Sequence, residues 1–254
     1  MPIGSEVNAI EFSRVSKRFR IQEGHTLREF VPAMLRGRGW SPPFYALREI
    51  SFAIPRGQTL GIIGRNGSGK STILKLTAGV MVPTQGQVKV QGRVTPLIEL
   101  GAGFHPDLTG RENIYLNAAI LGMSGKDIRD CFDDVTAFAE IGDFIDTPVK
   151  RYSSGIYMRL GFAVAVHSNP DILLVDEVLA VGDVGFRKKC LDKMQEFQTK
   201  GVTIVLVSHE LGMVQQFCQK VLLLHNGQIA AEGEPQAAVK RYKELMAQTE
   251  PSTV

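Results

Sequence analysis

The sequence is poor in the residues that build a disulfide or metal framework. Three cysteines, Cys131, Cys190 and Cys218, are scattered over 254 residues. They form no CxxC pair and have no histidine nearby. Thiols at these spacings are expected to stay reduced, as in a cytosolic protein, and neither a metal site nor a redox pair is expected from them. Long apolar runs are missing too, since no stretch approaches the ~20 residues that span a bilayer. The first residues show no charged segment followed by an apolar one. A soluble chain is therefore expected, one that another protein must bring to any membrane. Charge of one sign is also scarce. The net charge is +3 and the pI about 8.7, with the basic residues dispersed. The densest run, Arg14 to Arg20, fits a solvated strand edge better than a phosphate patch, so no nucleic-acid partner is expected. There is no internal repeat and no sustained heptad pattern, which excludes a solenoid and a coiled coil.

What is present is an ordinary globular composition, 44% hydrophobic and 22% charged. It is enough for one large domain or two small ones, with no disorder expected outside the termini. Residues 8–21 alternate as Ile10, Phe12, Val15 and Phe19 among polar neighbours, predicting a strand and then a turn. Residues 26–36 carry Leu27, Phe30, Val31, Met34 and Leu35 at helical spacing, with Thr26 and Glu29 as a capping box. Pro32 shortens or kinks that helix. Gly37, Gly39, Pro42 and Pro43 then predict a loop. Strands are predicted over 46–54 and 57–63, a helix from about Ser71 to Ala78, and strands within Gln87 to Ile98. Residues 110–166 read as helices broken at Gly122 to Gly125, Gly142 and Pro148. The fully apolar runs Ile172–Val175 and Thr203–Val207 predict parallel strands covered on both faces. A hairpin is expected over 221–230 around Asn226-Gly227, and a last helix over Pro235–Ala247. The fold class is α/β, with an antiparallel β subdomain and an α-helical subdomain. One domain is expected over residues 1–247, with the helical subdomain at about 105–168, an amphipathic insertion at about 22–44, and a tail at 248–254.

Residues Gly64-Arg65-Asn66-Gly67-Ser68-Gly69-Lys70-Ser71-Thr72 form a P-loop between a predicted strand and a predicted helix. The glycines let the backbone wrap around phosphate with its N–H groups inward. The helix start adds partial positive charge on the same anion. Lys70 is expected at the β- and γ-phosphates of ATP, and the Ser71 hydroxyl on Mg²⁺. Gly64, Asn66, Gly67, Ser68, Gly69 and Thr72 complete the cradle. The plainer alternative, a chance glycine turn, leaves the flanking strand and helix without a reason. The strand Ile172–Val175 runs into Asp176-Glu177. Asp176 is expected to hold Mg²⁺ and Glu177 to act as general base on the attacking water. A surface acidic pair is the alternative, weakened by the P-loop. His209 follows the strand Thr203–Val207 and can position that water at the γ-phosphate; a lone histidine elsewhere would more often be structural.

With these residues in view the chain resembles the ATP-binding cassette family, a P-loop NTPase fold. The deciding segment is Tyr152-Ser153-Ser154-Gly155-Ile156-Tyr157, which is similar to the family signature, usually Leu-Ser-Gly-Gly-Gln. It departs at Tyr152, at Ser154 and at Ile156-Tyr157. A serine hydroxyl, a glycine backbone and a helix start still make an anion site. The resemblance implies that Ser153, Ser154 and Gly155 close over the γ-phosphate held by a second subunit, so that a homodimer is needed. It also implies that Ala180-Val181-Gly182-Asp183 is the D-loop, that His209 is the switch histidine, and that Phe19 stacks on adenine, with Tyr45 as a second candidate. Glu99 stands where most of the family has Gln. It is expected to bind Mg²⁺ or its water, but its charge departs from the family pattern. The resemblance covers about residues 8–235.

The stretch Leu97 to Ile114, the Tyr-Ser-Ser-Gly signature and Asp176 to Asp183 look like the polysaccharide and teichoic-acid exporter ATPases. The amphipathic segment 26–36 looks like that branch too. There it implies a helix near the membrane entrance, while a satellite packing element is the alternative. This branch implies an ATP hydrolase driving export of lipid-linked polysaccharide, of O-antigen or teichoic-acid type. The transmembrane permease would be a separate chain that holds the ATPase at the cytoplasmic face of the inner membrane. A groove around Glu99 to Asp107 would receive the permease's coupling helix. Some members carry a C-terminal carbohydrate-binding domain; the residues after the last helix are expected to be too few to hold one, whether the protein naturally lacks that domain or is cut short before it. Alternatives are the ATPase of a lipid or drug exporter, and a soluble cassette ATPase acting on ribosomes or DNA.

Overall fold

A computed structural model describes residues 7–19, 43–98, 100–176 and 183–247. In chain order the elements begin β1 (Asn8–Phe19), β2 (Phe44–Pro55), β3 (Thr59–Gly64), α1 (Lys70–Thr77), β4 (Gln85–Val90) and β5 (Val94–Leu97). Then come α2 (Gly110–Ile120), α3 (Gly125–Ala139), two short 3₁₀ turns at Gly142–Asp146 and Val149–Arg151, α4 (Ser154–Val166) and β6 (Ile172–Asp176). The chain continues with α5 (Val184–Thr199), β7 (Thr203–Val207), α6 (Leu211–Phe217), β8 (Lys220–His225), β9 (Gln228–Gly233) and α7 (Pro235–Ala247). The amphipathic helix expected at 26–36 lies outside the described residues. Phe44, expected in the insertion, is instead the first residue of β2, because it pairs with Phe19 at the end of β1.

Two sheets form. β2, β1 and β4 make an antiparallel sheet, and the other has the order β5-β6-β7-β3-β8-β9. All neighbours in the larger sheet are parallel except β8 and β9. Those two join through Asn226 (φ 48°) and Gly227 (φ 75°), the backbone that an Asn-Gly hairpin demands. In the smaller sheet Arg14 and Glu49 sit at φ 47° and 48°. Their N–H groups are accepted by Ser51 Oγ at 2.8 Å and Ser16 Oγ at 3.0 Å, so the bulge leaves neither donor unpaired.

Strand periodicity divides the interior. Ile172, Leu174, Val205 and Val207 turn toward α1 and the antiparallel sheet. Leu173, Val175, Ile204 and Leu206 turn toward Phe162 of α4 and Phe186, Cys190 and Met194 of α5. Both faces of β6 and β7 are covered, which is why these strands read as unbroken apolar runs. A separate helical core holds Ile114, Ala118, Ile128, Val135, Leu160 and Val164. α4 is therefore buried on two sides, toward the helices and toward the sheet, as expected for a helix apolar all round. Capping boxes start α2 at Thr109/Glu112 and α3 at Ser124/Asp127.

Helices α5 and α6 were not among the sequence expectations. The α5 pattern is present all the same: Asp183 caps it and Phe186, Cys190, Met194 and Phe197 are its buried stripe. Cys190 and Cys218 are buried free thiols, pushed up to about 12 by burial, and serve as small apolar side chains. Among the described residues no helix is long and apolar enough to cross a membrane.

Candidate active site

The residues Gly64 to Thr72 connect β3 to α1 at the carboxyl edge of the parallel sheet. Sterics set their shape. Gly64 has φ 152°, and a Cβ there would lie 2.4 Å from Leu224 O. Gly69 has φ 109°, and its Cβ would lie 2.6 Å from Ala46 O. No side chain tolerates those contacts. The loop is braced from two directions: Ser68 N–H donates to Arg65 O at 3.1 Å, and Gly227 N–H donates to Ser68 O at 3.2 Å. Ser68 Oγ is buried without a hydrogen-bond partner among the described residues. Gly69 caps α1 with no side-chain hydrogen bond, so no cap side chain covers the start of the helix, where anions bind favourably. Lys70 is buried, with Nζ donating to Gly64 O at 2.8 Å and Arg65 O at 3.1 Å.

A cleft of about 350 Å³ opens over this loop, lined by Asn66, Gly67, Gly69, Lys70, Ser71 and Thr72 on one side and by Phe19, Phe44 and Ala46 on the other. Phe19 and Phe44 face each other across β1 and β2. Tyr45 pairs with Arg18 instead, and its ring carries the Arg48 guanidinium at 5.2 Å. Period two along β2 points Tyr45 away from the cleft, so Phe44 stands where Tyr45 was a candidate. Phe44 and Ala46, two residues apart on β2, share the strand face that lines the cleft.

The strand order brings two more residues to the same edge. Asp176 is level with Val207, and Val207 with Ile62. Asp176 thus ends β6 one strand beyond β7, and Ser208-His209 leave β7 next to the strand that enters the loop. Asp176 is half-buried and His209 exposed. Glu99, Glu177 and Ala180 to Gly182 lie outside the described residues.

Ser153, Ser154 and Gly155 do not line this cleft. They begin α4, where Ser153 Oγ accepts the Ile156 N–H at 3.2 Å and both serines are exposed. Asp183 also stands at a helix start. Its Oδ1 accepts the Phe186 N–H at 2.9 Å, and its other oxygen pairs with Arg159 of α4. That backbone hydrogen bond, ahead of the Arg159 charge, holds the Asp183 carboxyl below its ordinary value of 3.8. Arg159 also reaches Glu140 at 3.1 Å and lies 5.1 Å over the Phe186 ring. One guanidinium thereby links α3, α4 and α5.

A family model described as ABC transporter matches residues 47–180. The chain is 48% identical over 251 residues to the O-antigen export system ATP-binding protein RfbB of Myxococcus xanthus, covering 96% of this chain and 57% of that protein. It therefore spans little more than half the length of that relative. It is 43% identical over 240 residues to the teichoic acids export ATP-binding protein TagH of Listeria monocytogenes serotype 4b (strain F2365), covering 93% and 70%. Among solved structures, a dimeric ATP-binding cassette in a post-hydrolysis state bound to ADP and Pi superposes with a TM-score of 0.71 at 22% identity, covering 89% and 98%. At that identity the likeness is one of fold.

Proposed function

The chain belongs to the ABC transporter family, and on that premise we propose that it is the ATP-binding, ATP-hydrolysing subunit of an exporter of lipid-linked polysaccharide, of O-antigen or teichoic-acid type. The observation that carries the proposal is the cleft over Gly64 to Thr72. It offers a backbone cradle, a buried lysine and an open helix start on one wall, and an aromatic pair on the other. Phosphates occupy the first wall, where Lys70 exchanges its loop carbonyls for phosphate oxygens. Phe19, with Phe44 beside it, takes the adenine face.

The donor set suits Mg²⁺. Ser71 offers a hydroxyl and Asp176 a carboxylate, both hard oxygens, and Glu99 is the third side chain the family likeness brings. Among the described residues no three His, Cys, Asp or Glu gather into a metal group. Ser71, Asp176 and Glu99 would hold the ion together with phosphate oxygens, as is usual for Mg²⁺. When bound, Mg²⁺ would supply neutralisation of the phosphate charge. Glu177 takes the proton of the attacking water, and His209 orients it.

Two copies share the work. Ser153, Ser154, Gly155 and Asp183 of one copy face the nucleotide held by the other, so residues 1–247 act as one nucleotide-binding domain in a homodimer. A groove of about 290 Å³, lined in part by Val80, Ile98, Leu100, Gly103, Ile120 and Leu121, receives the permease. Val80 is 76% and Ile120 63% exposed, a large apolar display for a surface with nothing to cover it. The permease holds the subunit at the cytoplasmic face of the inner membrane.

The test uses two variants. Lys70→Ala is expected to lose nucleotide affinity in a titration. Glu177→Gln is expected to bind ATP, hydrolyse it at least about a hundred-fold more slowly and accumulate as a dimer. Placed in cells instead of the parent gene, Glu177→Gln should trap lipid-linked glycan on the cytoplasmic side. A normal surface glycan refutes the export role, and unchanged affinity in Lys70→Ala refutes the site.

A further inference from the structure

The segment from Gly101 to Phe104 packs closely against α4 at two points. Tyr157 Oη donates to Gly101 O at 2.8 Å. The Tyr157 ring meets Phe104 edge-on, with centroids 5.1 Å apart and planes at 73°. Gly101 adopts φ 77°, and a Cβ there would lie 2.3 Å from Tyr157 Cε1. One helical turn further on, a Cβ on Gly161 would lie 2.7 Å from Gly101 N. Two glycines thus remove the space between loop and helix, and one hydroxyl sets the register. The far end of the segment is tied as well. The buried Asn113 amide donates to His105 O, Leu108 O and Thr109 O at 3.1, 3.0 and 2.9 Å and accepts the His105 N–H at 2.7 Å.

The same tyrosine belongs to the start of α4. Its N–H donates to Ser153 O at 2.9 Å, so it sits one turn below the Ser153 cap. It is also part of the Ile156-Tyr157 pair by which this signature departs from Leu-Ser-Gly-Gly-Gln. The geometry points to Tyr157 as a positioning residue that locks the segment from Gly101 to Phe104 to the Ser153–Gly155 end of α4, so that both move as one body when a composite site closes. The inference rests on the proposed function and adds the contact through which the two parts are joined. Tyr157 does not line the cleft over Lys70. Its loss therefore changes closure and leaves nucleotide capture by one chain intact.

Tyr157→Phe deletes the donor and keeps the ring against Gly101 and Phe104. In the full chain assembled with its permease, KM for ATP and the ATP affinity of the chain alone should stay within about twofold of the parent. The kcat should fall about three- to ten-fold, the range one lost hydrogen bond supports. An unchanged kcat overturns the inference, as does a raised KM at constant kcat. A Tyr157→Phe chain that loses its cooperative unfolding transition overturns it too, since the hydroxyl is then a folding contact. Lys70→Ala measured alongside separates the two failures. If that variant also binds ATP normally, the reading of the cleft has failed. If it loses binding while Tyr157→Phe matches the parent, only the lock has failed.

Discussion

Helices α1 and α4 each start with a short serine and glycine turn, and they treat their first N–H groups in opposite ways. At α1 the cap is Gly69, at φ 109°, with no side-chain hydrogen bond. Its donors lie at the floor of a cleft walled by Phe19 and Phe44. At α4 the cap is Ser153, whose own hydroxyl satisfies the Ile156 N–H, and the turn is exposed on the surface. In the proposed reading the first is an anion site complete within one chain, shaped by backbone that only glycine tolerates. The second is, in that reading, a surface that becomes a site when another copy is laid against it. That difference is the physical content of the two-copy mechanism proposed above.

The comparison breaks most easily at Gly69. A Gly69→Ala chain meets Ala46 O and the Leu47 side chain, each at 2.6 Å, in a conformation already strained for an L residue. Nucleotide affinity should drop about a hundred-fold in a binding titration. Gly67→Ala sharpens the point: its φ is 77°, but nothing lies within 4 Å of the new Cβ. Its loss should be smaller, about ten-fold, from backbone strain of ~1–2 kcal/mol alone. Equal losses in the two variants would show that contact with β2 does not matter.

Ser153→Ala probes the other end. Removing the cap should cost about 1 kcal/mol of stability, read as a lower thermal midpoint. ATP affinity of the separate chain should not change, while dimer formation with Glu177→Gln should weaken. A fall in single-chain affinity like that of Gly69→Ala would erase the distinction between the two helix starts.

The smallest effect is an acid one. Asp183, Asp127 and Glu112 are all held below their ordinary values, first of all by hydrogen bonds from the Phe186 N–H, the Ser124 hydroxyl and the Thr109 N–H. A carboxyl lowered on folding stabilises the fold fully above its unfolded value, and that contribution is lost as pH falls through the folded value. Stability should therefore stay level above pH 4.5, the ordinary Glu value, and decline below 3.8, the ordinary Asp value. A chemical denaturation series across that range measures it. Ser124→Ala should flatten part of the decline.

Much of this was legible in the residues. The strands Ile172–Val175 and Thr203–Val207, the Asn226-Gly227 hairpin and the breaks in the helical region follow from short-range sterics and periodicity. The structure places the two strands within a residue of the expected bounds, while the second arm of the hairpin runs to Gly233, three residues past the expected end. Helix α5 was legible and unread, since Asp183 and the spacing of Phe186, Cys190, Met194 and Phe197 mark it. Phe44 was not legible as a wall of the cleft, because it follows the insertion and its direction depends on pairing with Phe19. The Tyr157 contact with Gly101 joins residues far apart in sequence, and no local pattern in either segment announces it.

By itself, then, the sequence determined which backbone could wrap an anion, which strands were buried on both faces and where helices start. Those properties depend on φ angles, caps and side-chain periodicity within a few residues. The tertiary structure alone decided that β7 separates β6 from β3, bringing Asp176 and His209 beside the loop. It also decided which aromatic ring faces the cleft and which tyrosine of α4 meets Gly101 and Phe104. These follow from strand order and register, which long-range packing sets.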